Sequence, residues 1–188
     1  MTHIKYKLDD TSNCMKLRGG PTQDEVMAIA LQKLQMKKGD VFADLGCGTA
    51  KVAVEAARTA SRVYAVDMRD EAIEASRKTI AANAADNVEL IHKNSADFLR
   101  DCEPLDCAFI GGTRDLEAVL GLLAPRLRGR VVVNAVMVSS LNRAVEALKG
   151  LDMFVEAIHV QVSRTHPIAG GVMFKPIDPV FIIVGEAN

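Results

Sequence analysis

Two carboxylates and three small residues give this sequence its strongest chemical signal. In VFADLGCGTAKVAVEAA, Val41 to Ala57, Asp44 is followed at alternate positions by Gly46, Gly48 and Ala50, between a β-branched run and an alanine-rich helical run. Glycines at such a corner let the backbone turn sharply and let a ligand come close. The start of the following helix presents backbone N–H groups without intrahelical partners. Asp67 ends VYAVD, at the distance from this corner where a carboxylate accepts hydrogen bonds from ribose hydroxyls. Two roles are open to Asp67, ribose acceptor and N-cap of the helix that MRDEAIEAS begins, and one side chain can serve both. The glycines alone would also fit a strand-to-helix turn with no ligand. A dinucleotide fingerprint starting at Gly46 needs glycine at position 51, where the chain has Lys51, so a nicotinamide dinucleotide is disfavoured.

The elements that hold these residues alternate along the chain. After an irregular first twenty residues, PTQDEVMAIALQKLQM places Val26, Ile29, Ala30 and Leu34 on one helical face. Thr22 and Glu25 form a T-x-x-E capping box at its start. Strands are then predicted at Val41 to Leu45, Arg62 to Val66, Val88 to His92, Leu105 to Ile110 and Arg130 to Val136. Helices are predicted at Ala50 to Thr59, Arg69 to Asn83, Arg114 to Leu127 and Ser140 to Leu151. Such alternation builds crossover units on a parallel sheet covered on both faces, an α/β fold. The last two strands, MFVEAIHVQVS and PVFIIVGE, are joined by RTHPIAGGVMFKPID, which is too rich in proline and glycine for a crossover helix, so they should pair antiparallel. An open sheet of this kind binds its ligand beyond the carboxyl ends of the strands, at the switch point beside the first strand, where the glycine corner lies.

Composition sets the outer bounds. The 188 residues suit a single domain, 1–188, with one core. A 49% hydrophobic and 25% charged chain of net charge -1 reads as a globular protein with no general attraction to nucleic acid. The start, MTHIKYKLDD, has no apolar core for a signal peptide. The longest apolar stretch, around Val131 to Val138, falls short of the roughly 18 residues that span a bilayer, so no membrane partner is expected and the expected location is cytoplasmic. Cys14, Cys47, Cys102 and Cys107 show no C-x-x-C spacing, which leaves reduced, mostly buried thiols and no metal site. Cys47 has no neighbouring histidine to activate it as a nucleophile, and His92, His159 and His166 read as structural.

The order acid, glycine, glycine, alanine (Asp44, Gly46, Gly48, Ala50) resembles motif I of class I methyltransferases that use S-adenosylmethionine. Their Rossmann-like fold has a mostly parallel seven-stranded sheet, helices on both faces and an antiparallel last strand. Methyltransferases of exocyclic base nitrogens often carry D-P-P-Y or N-P-P-Y after the fourth strand, where this chain reads FIGGTRD. Within the superfamily, GGPTQDEV, DLGCGTAKVAVEAA, VYAVD, AFIGGT and VSRTHPIAGGVMF with PVFIIVGE resemble the decarboxylating cobalt-precorrin-6B methyltransferases of anaerobic cobalamin synthesis. That resemblance runs from Gly19 onward. It implies methyl transfer to carbon 15 of the corrin precursor with loss of the carbon-12 acetate as carbon dioxide, and a homotetramer.

By the same resemblance, Thr22, Asp44, Gly46, Cys47, Gly48, Thr49, Ala50, Asp67, Ser95 and Ala96 surround S-adenosylmethionine. Thr22 is also explained by its capping role alone. Ser95 stands where an acid often accepts the adenine amino group, and a hydroxyl accepts more weakly. Gly111, Gly112, Arg114 and Arg164 are the candidate substrate residues, because a tetrapyrrole bearing many carboxylates needs guanidinium partners. Two other readings stay open: a methyltransferase for another small molecule, a protein or RNA, and a non-catalytic sensor or scaffold that binds S-adenosylmethionine.

Overall fold

The computed structural model describes residues 20–188, so Cys14 and the first nineteen residues lie outside the description. The largely buried run Val41–Leu45 forms β1, an interior strand of a seven-stranded sheet. Alternation along β1 sends Phe42 to one core and Ala43 and Leu45 to the other. The chain leaves β1 through α2 (Lys51–Ala56) to β2 (Arg62–Asp67), then through α3 (Asp70–Ala82) to β3 (Val88–His92), each strand parallel to the one before. It then crosses back to lay β4 (Cys107–Ile110) on the other side of β1, and continues through α5 (Leu116–Leu123) to β5 (Arg130–Ala135) and through α6 (Val138–Gly150) to β6 (Phe154–Val160). The last strand, β9 (Val180–Glu186), inserts between β5 and β6, antiparallel to both. The order β3-β2-β1-β4-β5-β9-β6 reverses direction between β1 and β4.

Both faces are covered, as the expected fold requires. Helix α1 (Asp24–Leu34) lays Val26, Ala30 and Leu34 into one core with Phe42, Val52, Phe109 and Ile182. On the other face Leu116, Leu120 and Leu123 of α5 and Leu148 of α6 pack on Leu45, Ile110 and Val133.

One local expectation fails, and two elements stand where the sequence gives no sign of them. The capping box does not form. Helix α1 begins one residue later with Gln23 as its N-cap and no side-chain cap bond. Glu25 turns away to a guanidinium that arrives from residue 164, and the Thr22 carbonyl accepts from Lys51 Nζ at 3.2 Å. A short helix, α4 (Ser95–Asp101), stands where none is predicted. It makes under two turns, buries only Phe98 and Leu99, and is started by Asn94, whose side chain accepts from the Ala96 amide at 2.7 Å. The connection before β9 is itself a two-stranded hairpin, β7 (Ser163–Ile168) with β8 (Gly171–Pro176), separate from the main sheet and exposed along its length. Proline and glycine in that segment exclude a helix but do not prevent a solvent-exposed ribbon.

Candidate active site

The switch point between β1 and β4 is a close approach of two glycine loops. Gly46 adopts φ 80°, and a side chain built on it would meet the Gly112 amide nitrogen at 3.2 Å. A side chain on Gly111 would reach the Gly46 carbonyl oxygen at 3.0 Å. The Gly46 and Cys47 amides both donate to the Val66 carbonyl, at 2.8 and 3.0 Å, which folds the first loop over the end of β2. Gly48 has φ 58° and Ala50 φ 56°, so the alanine at the third small position takes the backbone region that glycine prefers. That strain costs about 1–2 kcal/mol, and the Ala50 methyl is fully buried under the loop. Ser76 of α3, also buried, donates to the Gly48 carbonyl at 3.0 Å and holds the far side of the loop.

These loops floor a cavity of about 440 Å3, a volume typical of small-molecule sites. Thr22 lies on one side, Ser95 on another, and the segment Gly111 to Asp115 at the β4 end. Ser140 of α6 steadies that segment by donating to Thr113 Oγ1 at 3.3 Å. Two of the carboxylates that line the cavity, Asp44 and Asp67, are in different states. Asp44 is buried; its Oδ2 accepts from the Ala53 amide at 3.0 Å, whereas Oδ1 has no hydrogen-bond partner. Burial, reinforced by the nearby charge of Asp67 and opposed by the Ala53 hydrogen bond, pushes its carboxyl up to about 7. Asp67 goes the other way. Burial alone would raise it, but hydrogen bonds from the Arg69 guanidinium and from the Arg69 and Gly48 amides outweigh that and hold it below the usual carboxylate range. Burial and the adjacent Asp44 push the Cys47 thiol upward, so it is a packing residue and no nucleophile.

Of the residues expected at the site, Thr22, Asp44, Gly46, Cys47, Gly48, Thr49, Asp67, Ser95, Gly111, Gly112 and Arg114 line this one cavity. Three do not. Ala50 lies buried beneath the loop, and the Ala96 amide is occupied by the Asn94 cap. Arg164 is directed to Glu25, with Nε to Oε1 at 2.9 Å, and stands on the exposed hairpin rather than at the cavity. Asp67 is not the cap of α3, whose N-cap is Arg69. Gly111 is explained first by the packing of one loop on the other, whatever lies above it, whereas a side chain on Gly112 would meet nothing within 4 Å.

Arg69, Lys51 and Asn94 also line the cavity and were not anticipated. Lys51, at the position that excludes the dinucleotide fingerprint, ties the start of α1 and the residues before it to the loop through Asp24 Oδ1, at 2.5 Å, and the Thr22 carbonyl. Among the described residues no cluster of histidine, cysteine and acidic side chains could hold a metal ion, and no helix is long and apolar enough to cross a membrane.

Comparison with known proteins places this cavity in context. Residues 15–186 match the family model described as a precorrin methyltransferase domain. A Methanosarcina mazei protein named "probable cobalt-precorrin-6B C(15)-methyltransferase (decarboxylating)" is 43% identical over 180 residues, covering 93% of this chain and 98% of that protein. A crystal structure titled precorrin 8w decarboxylase, from Methanobacterium thermoautotrophicum, superposes with a TM-score of 0.85 at 30% identity over 88% of this chain and 91% of its own. Precorrin-6y C5,15-methyltransferase from Geobacter metallireducens gives 0.84 at 32% identity over 88% and 90%.

Proposed function

The chain belongs to the precorrin methyltransferase family, and from that membership and the cavity we propose that it transfers a methyl group from S-adenosylmethionine to carbon 15 of cobalt-precorrin-6B and expels the carbon-12 acetate as carbon dioxide. The observation that carries the cofactor half is the pairing of a buried, unpartnered Asp44 Oδ1 with a glycine-floored cavity at the β1–β4 switch point. The ammonium of the methionine part supplies the donor that Asp44 lacks, and Asp67 receives the ribose. Bound there, S-adenosylmethionine brings a methyl group on a positively charged sulfur, already a strong electrophile.

The protein's own residues have positioning work to do. Gly46 and Gly48 keep the floor free of side chains, and a Cβ on Gly48 would come near only Arg69 Nη2, at 3.9 Å. The cavity walls exclude water from the reacting carbon and fix donor against acceptor, which can supply most of the rate for a reaction between two reactive ligands. No cavity side chain is poised as a nucleophile, and none is needed. The electron pair left by the departing carboxylate passes into the conjugated ring of the substrate. Arg114, exposed at the cavity rim, receives a substrate carboxylate. Ser95, beside the Asn94 cap, takes the adenine end.

The same reading makes residues 1–188 one cytoplasmic domain whose partners are the tetrapyrrole and further copies of itself, with neither nucleic acid nor membrane involved. Apolar surface for a homotetramer is available on the hairpin, where Val172 and Phe174 are 71% and 70% exposed.

Turnover tests the reading. S-Adenosylmethionine with cobalt-precorrin-6B should give a methylated product; tight cofactor binding without turnover on any tetrapyrrole would instead favour the sensor. The rim arginine can be tested separately. Arg114→Ala is expected to raise KM for cobalt-precorrin-6B about tenfold and to leave the S-adenosylhomocysteine Kd within about twofold, because the two ligands meet different walls. Equal loss for both ligands returns Arg114 to a structural role.

A further inference from the structure

Asp67 carries a full set of hydrogen-bond donors. Its Oδ1 accepts from the Arg69 amide at 3.1 Å and from Arg69 Nε at 3.0 Å. Its Oδ2 accepts from the Gly48 amide at 3.0 Å and from Arg69 Nη2 at 2.8 Å. An ionised carboxylate offers about four lone-pair sites, so these four contacts saturate it. Two of the donors are backbone amides fixed by the loop and by the start of α3. The other two belong to one side chain and fall one on each oxygen.

A ribose diol presents the same pattern, two donors with one for each carboxylate oxygen, and the Arg69 guanidinium lies in the cavity where that diol would have to sit. We propose that Arg69 is a stand-in for the ribose: it holds Asp67 ionised and aligned, and must swing away for a nucleoside to bind, so that it sets cofactor affinity by competition. The inference rests on the reading that Asp67 receives the ribose, and adds to it a residue that opposes binding. Arg69 can leave because it is 36% exposed at its side chain, whereas Asp67 is 3% exposed and stays. A guanidinium so placed regains water when displaced, which keeps the competition modest.

The test is calorimetric binding of S-adenosylhomocysteine and of its 2′,3′-dideoxyribose analogue to the full-length wild type, Arg69→Ala and Arg69→Met. The methionine variant keeps the aliphatic stem and preserves the test should the alanine variant fold poorly. Removing the guanidinium is expected to tighten S-adenosylhomocysteine about three- to tenfold. The dideoxy analogue, which has no hydroxyl to claim Asp67, should bind both forms of the protein alike. If the variants bind S-adenosylhomocysteine no better than wild type, or tighten both ligands equally, Arg69 does not compete with the diol and the proposal is overturned. If the wild type itself does not distinguish the two ligands, the ribose role of Asp67 fails as well, an outcome separable from failure of the Arg69 proposal alone.

Discussion

Gly46→Val is expected to weaken S-adenosylhomocysteine binding by more than about a hundredfold, the consequence of a few kcal/mol of loop displacement. A β-branched residue at φ 80° is a backbone outlier, and its branches would enter the Gly112 backbone, whose amide nitrogen already lies 3.2 Å from a bare Cβ. The two glycine loops would part, and with them the floor of the cavity. Gly46→Ala should fall between wild type and valine, since it adds the close contact without the branch. Gly121 of α5 provides the control, because a side chain there meets nothing within 4 Å. Gly121→Ala should raise stability by about 0.5–1 kcal/mol, the ordinary gain at an exposed helical glycine, and leave binding alone. Calorimetry and thermal melts decide between these outcomes, and a Gly46→Val protein that binds as well as wild type removes the loop from the site.

The second large effect is a pH dependence of stability that belongs to Asp44. Its carboxyl is raised from 3.8 to about 7 in the folded chain, first by burial. The folded protein therefore keeps a proton that the unfolded chain releases. The resulting stabilisation is complete below about pH 4 and lost as the pH rises through about 7. A rise of that size corresponds to an upper bound of about 4 kcal/mol, and relaxation around a buried group makes about 2–4 kcal/mol the expected size. Asp44→Asn keeps an acceptor for the Ala53 amide and removes the titration, adding only an offset that does not change with pH. Urea unfolding at steps between pH 4 and 8 should show wild-type stability falling relative to Asp44→Asn by this amount. Parallel curves would mean that Asp44 is solvated or paired. If the ligand ammonium meets Asp44, S-adenosylhomocysteine affinity should also rise with pH up to about 7, because binding then requires the ionised form.

Much of this site can be read from residues close together in the chain. Asp44, Gly46, Gly48 and Asp67 lie on a strand, its loop and the next strand, and local rules of turn geometry and strand ends place them on one cavity. What could not be read depends on distant partners. The T-x-x-E pattern at Thr22 and Glu25 is a sound local signal, yet Glu25 is taken by Arg164, 139 residues away in the chain, which also removes Arg164 from the cavity. That Gly111 must also leave room for the Gly46 carbonyl is a long-range contact that only the fold shows. Arg69 is hidden for a different reason: one surface arginine after an aspartate is commonplace, and only the bidentate geometry on Asp67 distinguishes it. Helix α4 escaped because it buries two residues, too few for a helical period to emerge. The β7–β8 hairpin escaped because the exposed segment has no buried face to impose alternation.

The most direct measurement follows both halves of the reaction at once. The protein would be incubated with cobalt-precorrin-6B and S-adenosylmethionine carrying a carbon-13 methyl group, with the tetrapyrrole followed by mass spectrometry and the released carbon dioxide quantified. One site acting on one conjugated ring should give a product that has gained one labelled methyl and lost one carboxyl, with methyl transfer and carbon dioxide release near one to one throughout the time course. A methylated tetrapyrrole that retains its carbon-12 acetate carboxyl would keep the methyltransferase and exclude the decarboxylating assignment.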